Sequence, residues 1–352
     1  MSTFADIDRH LALLPADLVS MLTRIHEARG REQLFSHQNP EGLEALRLIA
    51  RVQSAEASNA IENVHAPRAR IEALVADTTE PQNRSEAEIA GYRYVLDQLH
   101  ASAADIPFEP RYVEQLHGYL YRFTGDDDAG QFKRLDNTVE EQHADGLVVE
   151  RFTPVAADLT PQAMDDLHRG FHRAREQGRY PELLLAAGYV LDFLVIHPFR
   201  DGNGRMSRLI TLWLLYLAGH DVGRFVSVEK FIEASKETYY EALAKSTVGW
   251  HEGDHDLIPW ASYLLGVLVA VYNEFESRTE VTSGRGSKRA LVENFIRSSI
   301  STKFTVADVR DAAPGVSDIY IRRVLDDLKK DGVIEPSGRG KAAFWTRLRD
   351  NF

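Results

Sequence analysis

The sequence predicts a mainly α fold that ends in a small α+β unit, and three observations carry that prediction. Apolar residues recur at helical spacing on both sides of a glycine-rich bend at 201–204. A further stretch of the same periodicity runs from Leu43 to Ile61. Beyond a small-residue join at 282–287, helical patterns give way to two short strand-like runs around Gly338 and Gly340.

The elements follow in chain order. In the segment from Leu43 to Ile61, Leu46, Ile49, Ala50, Ala57, Ala60 and Ile61 define one apolar face. Gly130 to Val139, followed by Leu147 to Val149 and Phe152 to Pro154, suits a β-hairpin. Pro181 to Ile196 reads as a helix, with Pro181 at a first helical position and Leu183, Leu184, Ala187, Leu191, Leu194 and Val195 as its stripe. Pro198 disfavours helical geometry at His197, so the helix ends there. A second helix begins near Arg205, runs through Leu209, Leu212, Trp213 and Tyr216, and stops at Gly219. Asp256 to Trp260, followed by Leu264, Leu265 and Leu268, suits a last core helix in which Trp260 packs rather than reacts.

The terminal unit is distinct in charge. From Arg285 onward there are 14 Lys and Arg against 9 Asp and Glu, so this end carries +5 and the remainder −17. Ser317 caps a helix through Lys330 that turns Ile319, Val324, Leu325 and Leu328 inward. Asp331 to Ile334 and Ala342 to Arg347 form a two-stranded wing. The pattern resembles a winged helix-turn-helix, with Arg322, Arg323, Lys329, Arg339 and Lys341 as candidate DNA-backbone contacts. Asp326 and Asp327 interrupt that basic face, which keeps a protein-docking or dimerising role open.

Composition limits the partners. At 352 residues, 44% hydrophobic and 27% charged, the chain can bury more than one core. It has no cysteine, which excludes a disulfide framework and a thiolate metal site. A net charge of −12 argues against wholesale coating of nucleic acid. The start lacks a basic and apolar signal region, and the longest apolar runs, 209–219 and 263–272, read as too short to cross a bilayer. A cytoplasmic location is the expectation.

The chemistry concentrates in His197-Pro-Phe-Arg-Asp-Gly-Asn-Gly-Arg-Met-Ser-Arg208. Asp201 to Gly204 opens onto a helix N-terminus, where unpaired N–H groups and the helix dipole attract an anion. Arg205 and Arg208 add forked donors suited to phosphate oxygens. Asp201 is a hard oxygen ligand of the kind that holds magnesium beside substrate phosphates. His197 can take a proton from a hydroxyl near neutral pH. Together these residues read as phosphate-bond chemistry with a hydroxyl nucleophile.

The twelve-residue string resembles the signature of the Fic (Fido) domain family, His-Pro-Phe-x-[Asp/Glu]-Gly-Asn-Gly-Arg-x-x-Arg, without a departure. The resemblance implies a Fic-type helical bundle with a β-hairpin flap. It also implies transfer of AMP from ATP, with Mg2+, to a Ser, Thr or Tyr hydroxyl of a target protein, the chain itself included. Under it His197 is the general base and Asp201 the metal ligand. Gly202, Asn203 and Gly204 hold the inner phosphates, and Arg205 and Arg208 the outer ones. Tyr239 and Tyr240 resemble the family's aromatic pair near adenine, and Asn137, Thr138 and Val139 fall in the flap.

Ser58-Asn-Ala-Ile-Glu62-Asn63 resembles the family's inhibitory helix motif, [Ser/Thr]-x-x-x-Glu-[Gly/Asn]. The resemblance implies that Glu62 pairs with Arg208 and keeps the γ-phosphate from its productive position. It also implies three regions: 1–110 with the inhibitory helix, 111–275 as the Fic core and 285–352 as the winged helix. The alternative function is a nucleotide-sensing DNA-binding regulator. Within the enzyme class, removal of AMP or transfer of another phosphate-containing group is the alternative. DNA and a second copy of the chain are candidate partners.

Overall fold

The computed structural model describes residues 2–38, 40–142, 148–282, 288–298, 303–313, 316–338 and 344–348. The described helices are α1 (Ile7–Leu11), α2 (Ala16–Gln38), α3 (Pro40–Ile61), α4 (Arg68–Val75), α5 (Arg84–Ser102) and α6 (Pro110–Leu120). A hairpin, β1 (Val139–Gln142) and β2 (Val148–Phe152), precedes α7 (Thr160–Gln177), α8 (Glu182–Ile196) and α9 (Asn203–Leu217). Then come α10 (Val228–Ala234), α11 (Lys236–Thr247) and α12 (Ile258–Thr282). The terminal unit holds α13 (Lys288–Ser298), β3 (Lys303–Phe304), α14 (Val306–Ala312), α15 (Asp318–Lys330), β4 (Ile334–Ser337) and β5 (Phe344–Arg347).

Helix α8 lies at the centre because it is apolar on every side. Leu183 to Leu191 and Phe193 to Ile196 are almost all buried, each large side chain contributing about 1.5–3 kcal/mol. Its one buried acid, Asp192, is held by four donors: Ser2 Oγ, the Thr3 N–H, Thr3 Oγ1 and Trp250 Nε1. That cluster ties the start of the chain to the helix carrying the bend. The same core takes side chains from Phe4 through Phe275, so α2, α3, α5 and α12 share it with α8 and α9. Trp213 and Trp260 are buried, and their indole N–H groups donate to the carbonyls of Ala103 and Ala187.

The terminal unit has its own apolar cluster around Val292, Phe304, Val309, Val324 and Leu325. Thr305 and Asp308 cap α14 reciprocally, and β3, β5 and β4 form an antiparallel three-stranded sheet in that order. Arg68 on α4 reaches across to Asp311 on α14, and also meets Glu72 at 3.1 Å and Glu56 of α3 at 3.7 Å.

Several local expectations are corrected. Pro181 caps α8 from outside rather than occupying its first position, and α9 starts two residues earlier, at Asn203. Gly130 to Thr138 is irregular, and the first strand begins only at Val139. Ile319 is 84% exposed; Ile321 takes the inward place, in phase with Val324, Leu325 and Leu328. The terminal sheet has three strands rather than two, because Lys303 and Phe304 pair with β5. Arg339, Lys341 and residues 283–287 lie outside the described residues. The stretch Ile258–Thr279 is long and apolar enough, by length and composition, to cross a membrane, which the run at 263–272 understates. Here half of its most apolar window is buried within the protein.

Candidate active site

The bend begins with an unusual backbone. His197 caps α8 in the left-handed region (φ 51°, ψ 59°), a conformation costing an L-residue about 1–2 kcal/mol, and its N–H still donates to Phe193 O at 2.9 Å. Lys133 holds it from both sides. Its N–H donates to Pro198 O at 2.8 Å, and its ammonium donates to Ile196 O at 3.1 Å and Asn137 Oδ1 at 2.8 Å. Burial brings that ammonium down to about 8. His197 is half-buried, and its Nδ1 lies 3.3 Å from Leu194 O. A carbonyl only accepts, so Nδ1 carries the proton and Nε2 keeps its lone pair. Burial pushes this imidazole down to about 4, which leaves it neutral at pH 7.

The loop after His197 is closed by side chains. Asn203 accepts from Phe199 N–H at 2.9 Å and donates to Phe199 O at 2.8 Å, so both ends of its amide serve the loop. Gly202 adopts φ 77°, and a Cβ there would press on the Tyr121 ring. Asp201 Oδ1 accepts from Gly202 N–H at 2.6 Å, while the rest of that side chain is 61% exposed. The first helical bond of α9 is Met206 N–H to Gly202 O, so the N–H groups of Asn203, Gly204 and Arg205 have no helical partner.

The chain's own carboxylate lies beside this cradle, against Gly204. A Cβ placed on Gly204 would collide with Glu62 Oε1, so only glycine lets that oxygen lie against the first turn of α9. The same oxygen accepts from Arg208 at 2.8 Å, and Arg208 also donates to Ser58 Oγ and Ser58 O, each at 2.8 Å. In chemical terms Glu62 stands in for a phosphate oxygen: an anion held by a guanidinium beside the first turn of a helix. Glu62 follows α3 directly, Asn63 turns the chain at φ 59°, and Lys236 donates to the terminal carbonyl of Ile61 at 2.8 Å.

The two signature arginines differ. Arg205 is buried against Glu88 at 2.6 Å and Tyr121 Oη at 2.6 Å, with Asn59 at 3.4 Å. With its charge matched inside the protein, it braces α3, α5 and α6 beneath the bend. Arg208 meets Glu62, which is 34% exposed and therefore displaceable.

Tyr239 is buried within ring-contact range of Tyr240, Trp260 and Tyr263, and burial pushes its hydroxyl up. Tyr240 is half-buried beside Lys236. In the flap, Asn137 donates to Phe199 O at 3.2 Å, which joins it to the bend; Thr138 follows, and Val139 opens β1 with a register shift before Glu140.

Sequence reasoning missed His117, Lys133, Glu88 and Tyr121. His117 donates from Nε2 to Asp201 O at 3.1 Å and accepts at Nδ1 from Gly130 N–H at 2.9 Å, with its ring stacked 3.8 Å from Phe199. It joins the flap's base to the carboxylate loop. Only Lys133 carried a local signal, a basic residue in an otherwise strand-like stretch.

No group of three His, Cys, Asp or Glu suited to a metal occurs among the described residues. A lone, exposed Asp201 fits magnesium only where phosphate oxygens and water complete the shell.

Comparison with known proteins agrees with this fold. Residues 107–215 match the Fic/DOC family, so this segment of the chain is similar to a Fic/DOC domain. A Fic family protein from Desulfovibrio desulfuricans G20 has a similar structure (TM-score 0.63, 22% identity), covering 96% of this chain and 97% of that one. A Fic domain containing signaling protein from Bacteroides thetaiotaomicron VPI-5482 gives a TM-score of 0.60 at 19% identity, covering 74% of this chain and 97% of that one. Fic-1 (residues 134–508) from C. elegans gives 0.60 at 19% identity, covering 76% and 74%. At these identities the likeness is one of fold. No curated protein matches the chain.

Proposed function

We propose that this chain is a self-restrained protein adenylyltransferase that moves AMP from ATP to a hydroxyl side chain of a target protein, itself included. The observation that carries the reading is Glu62, an anion already held by Arg208 against the first turn of α9. A triphosphate needs the same donors, so its outermost phosphate and Glu62 exclude each other.

In this reading the N–H groups of Asn203, Gly204 and Arg205 receive the inner phosphates, and Asn203's side chain keeps their loop in shape. Arg208, once released by Glu62, binds the outer phosphate. Asp201, exposed and with its Oδ2 3.9 Å from Arg205, would hold magnesium, which when bound neutralises charge developing on the phosphates. His197 takes the acceptor's proton at Nε2. Tyr239 and Tyr240 border the adenine side, and the flap from Asn137 to Val139 aligns the target segment by strand addition. Residues 1–110, 111–275 and 285–352 then act as restraint, catalyst and winged helix.

The test is label transfer. With α-labelled ATP and Mg2+, Glu62→Gly should incorporate more label than the native protein and Glu62→Gly/His197→Ala none. Equal labelling of all three, or label arriving from the γ position instead, would overturn the reading. A second reading, a DNA-binding regulator that senses nucleotide, draws on Arg322, Arg323 and Lys329, all exposed on or beside one face of α15. An ATP-dependent footprint on DNA with no label transfer would favour it.

A further inference from the structure

A cleft of about 640 Å3 lies against the first half of α3, away from the bend, and its polar lining is Glu44, Arg47, Arg51, Asp97, His100 and Arg224. Its carboxylates are already matched. Asp97 takes two bonds from Arg51, at 2.7 and 2.8 Å, with Arg93 at 3.5 Å behind it. Glu44 meets Arg47 through one exposed contact at 3.2 Å, and Asp221, outside the lining, takes only Nε of Arg224. Arg47 and Arg224 thus keep terminal donors with no protein acceptor.

These two guanidinium groups are aimed rather than loose. Arg47 lies over the Phe225 ring at 5.3 Å and Arg224 over Tyr216 at 4.4 Å. His100 lines the same cleft, its ring edge-on to Tyr216 and its Nε2 buried without a hydrogen-bond partner. A buried polar nitrogen left unpaired is costly, and this one belongs to a ring that lines the cleft beside unspoken-for guanidinium donors. Burial and the charges of Arg224, Arg51 and Arg47 together hold that imidazole down to about 3, so all three arginines act on one point.

We propose that this cleft binds a small phosphate-bearing ligand with two phosphoryl groups, held by Arg47 and Arg224 beside the His100 ring. Donors arriving from two elements, α3 and the 222–224 turn, suit tetrahedral oxyanions. A planar carboxylate is matched by a single fork. The volume falls in the range of small-molecule sites. The site does not depend on the adenylyltransferase reading, since it shares none of its residues.

The probe is inorganic pyrophosphate, titrated into the full chain with 15N-labelled histidine, and the readout is the His100 ring resonance, assigned with His100→Phe. The native protein should show a saturable shift. Arg47→Gln/Arg224→Gln should weaken it by about tenfold or more, with the His197 response to pyrophosphate unaltered. Malonate should bind about tenfold more weakly than pyrophosphate. Arg47→Gln alone, at a half-exposed side chain, gives the same test if the double variant is not folded. No saturable shift at millimolar pyrophosphate, native affinity in the arginine variants, or equal binding of malonate would each overturn the proposal.

Discussion

His197 is an imidazole kept neutral by its surroundings, and its behaviour with pH follows from that. The folded value of about 4 lies below the ordinary value near 6.5, so the ring stays a competent base well into acid. For Glu62→Gly, kcat/KM for AMP incorporation should stay level from pH 8 to about pH 5 and fall only toward pH 4. An acid limb centred near pH 6.5 would contradict the assignment. Lys133 supports the same residue indirectly, and Lys133→Met should lower kcat with little change in the KM for ATP, because the flap and the Ile196 carbonyl both lose their donor. At this scale the sequence was most legible, since His197 to Arg208 is contiguous and the bend's chemistry is local. What could not be read was partnership: Arg205 meets Glu88 from α5, and no local pattern announces a contact between residues so far apart in the chain.

Elements were legible where one period governed them and blurred where backbone groups had other partners. The apolar stripes of α3, α8 and α9 gave their positions to within a few residues at each end. The hairpin was placed too early because Gly130 donates to His117 and Lys133 donates to Pro198, so that backbone serves the bend instead of a strand ladder. On α15 the phase was misjudged by one residue type: Ile319 and Ile321 lie on opposite sides of the helix. Ile321→Ala should therefore destabilise the terminal unit by about 2–5 kcal/mol. Ile319→Gln should stay within about 0.5 kcal/mol of native. Denaturant unfolding followed in the 288–348 segment separates the two, and equal losses would contradict the phase.

Across the whole molecule, buried imidazoles set the response to acid. His100 and His220 are held down to about 3, and His117, His168, His197 and His255 to about 4, in each case mainly by burial. Between these values and 6.5 the unfolded chain binds more protons than the folded one, so stability falls as pH falls through that window. Glu32, raised to about 7, and Asp192, raised to about 6, act the other way, as do the smaller upward shifts of Glu56, Glu114 and Glu233. Six imidazole shifts of this size outweigh them. Tm should climb from pH 4.5 to about 6.5 and then level off in a thermal-shift series; a flat or falling series would contradict the balance. None of this was visible in the sequence, because burial depends on the assembled core.

All three scales meet in one arrangement, a carboxylate lodged in a seat built for phosphate. Intact mass of the Glu62→Gly protein after incubation with ATP and Mg2+, beside Glu62→Gly/His197→Ala, tests it most directly. The account predicts that the first gains AMP units and the second none; an unmodified Glu62→Gly protein together with an unmodified target mixture, or the same gain in both, would contradict it.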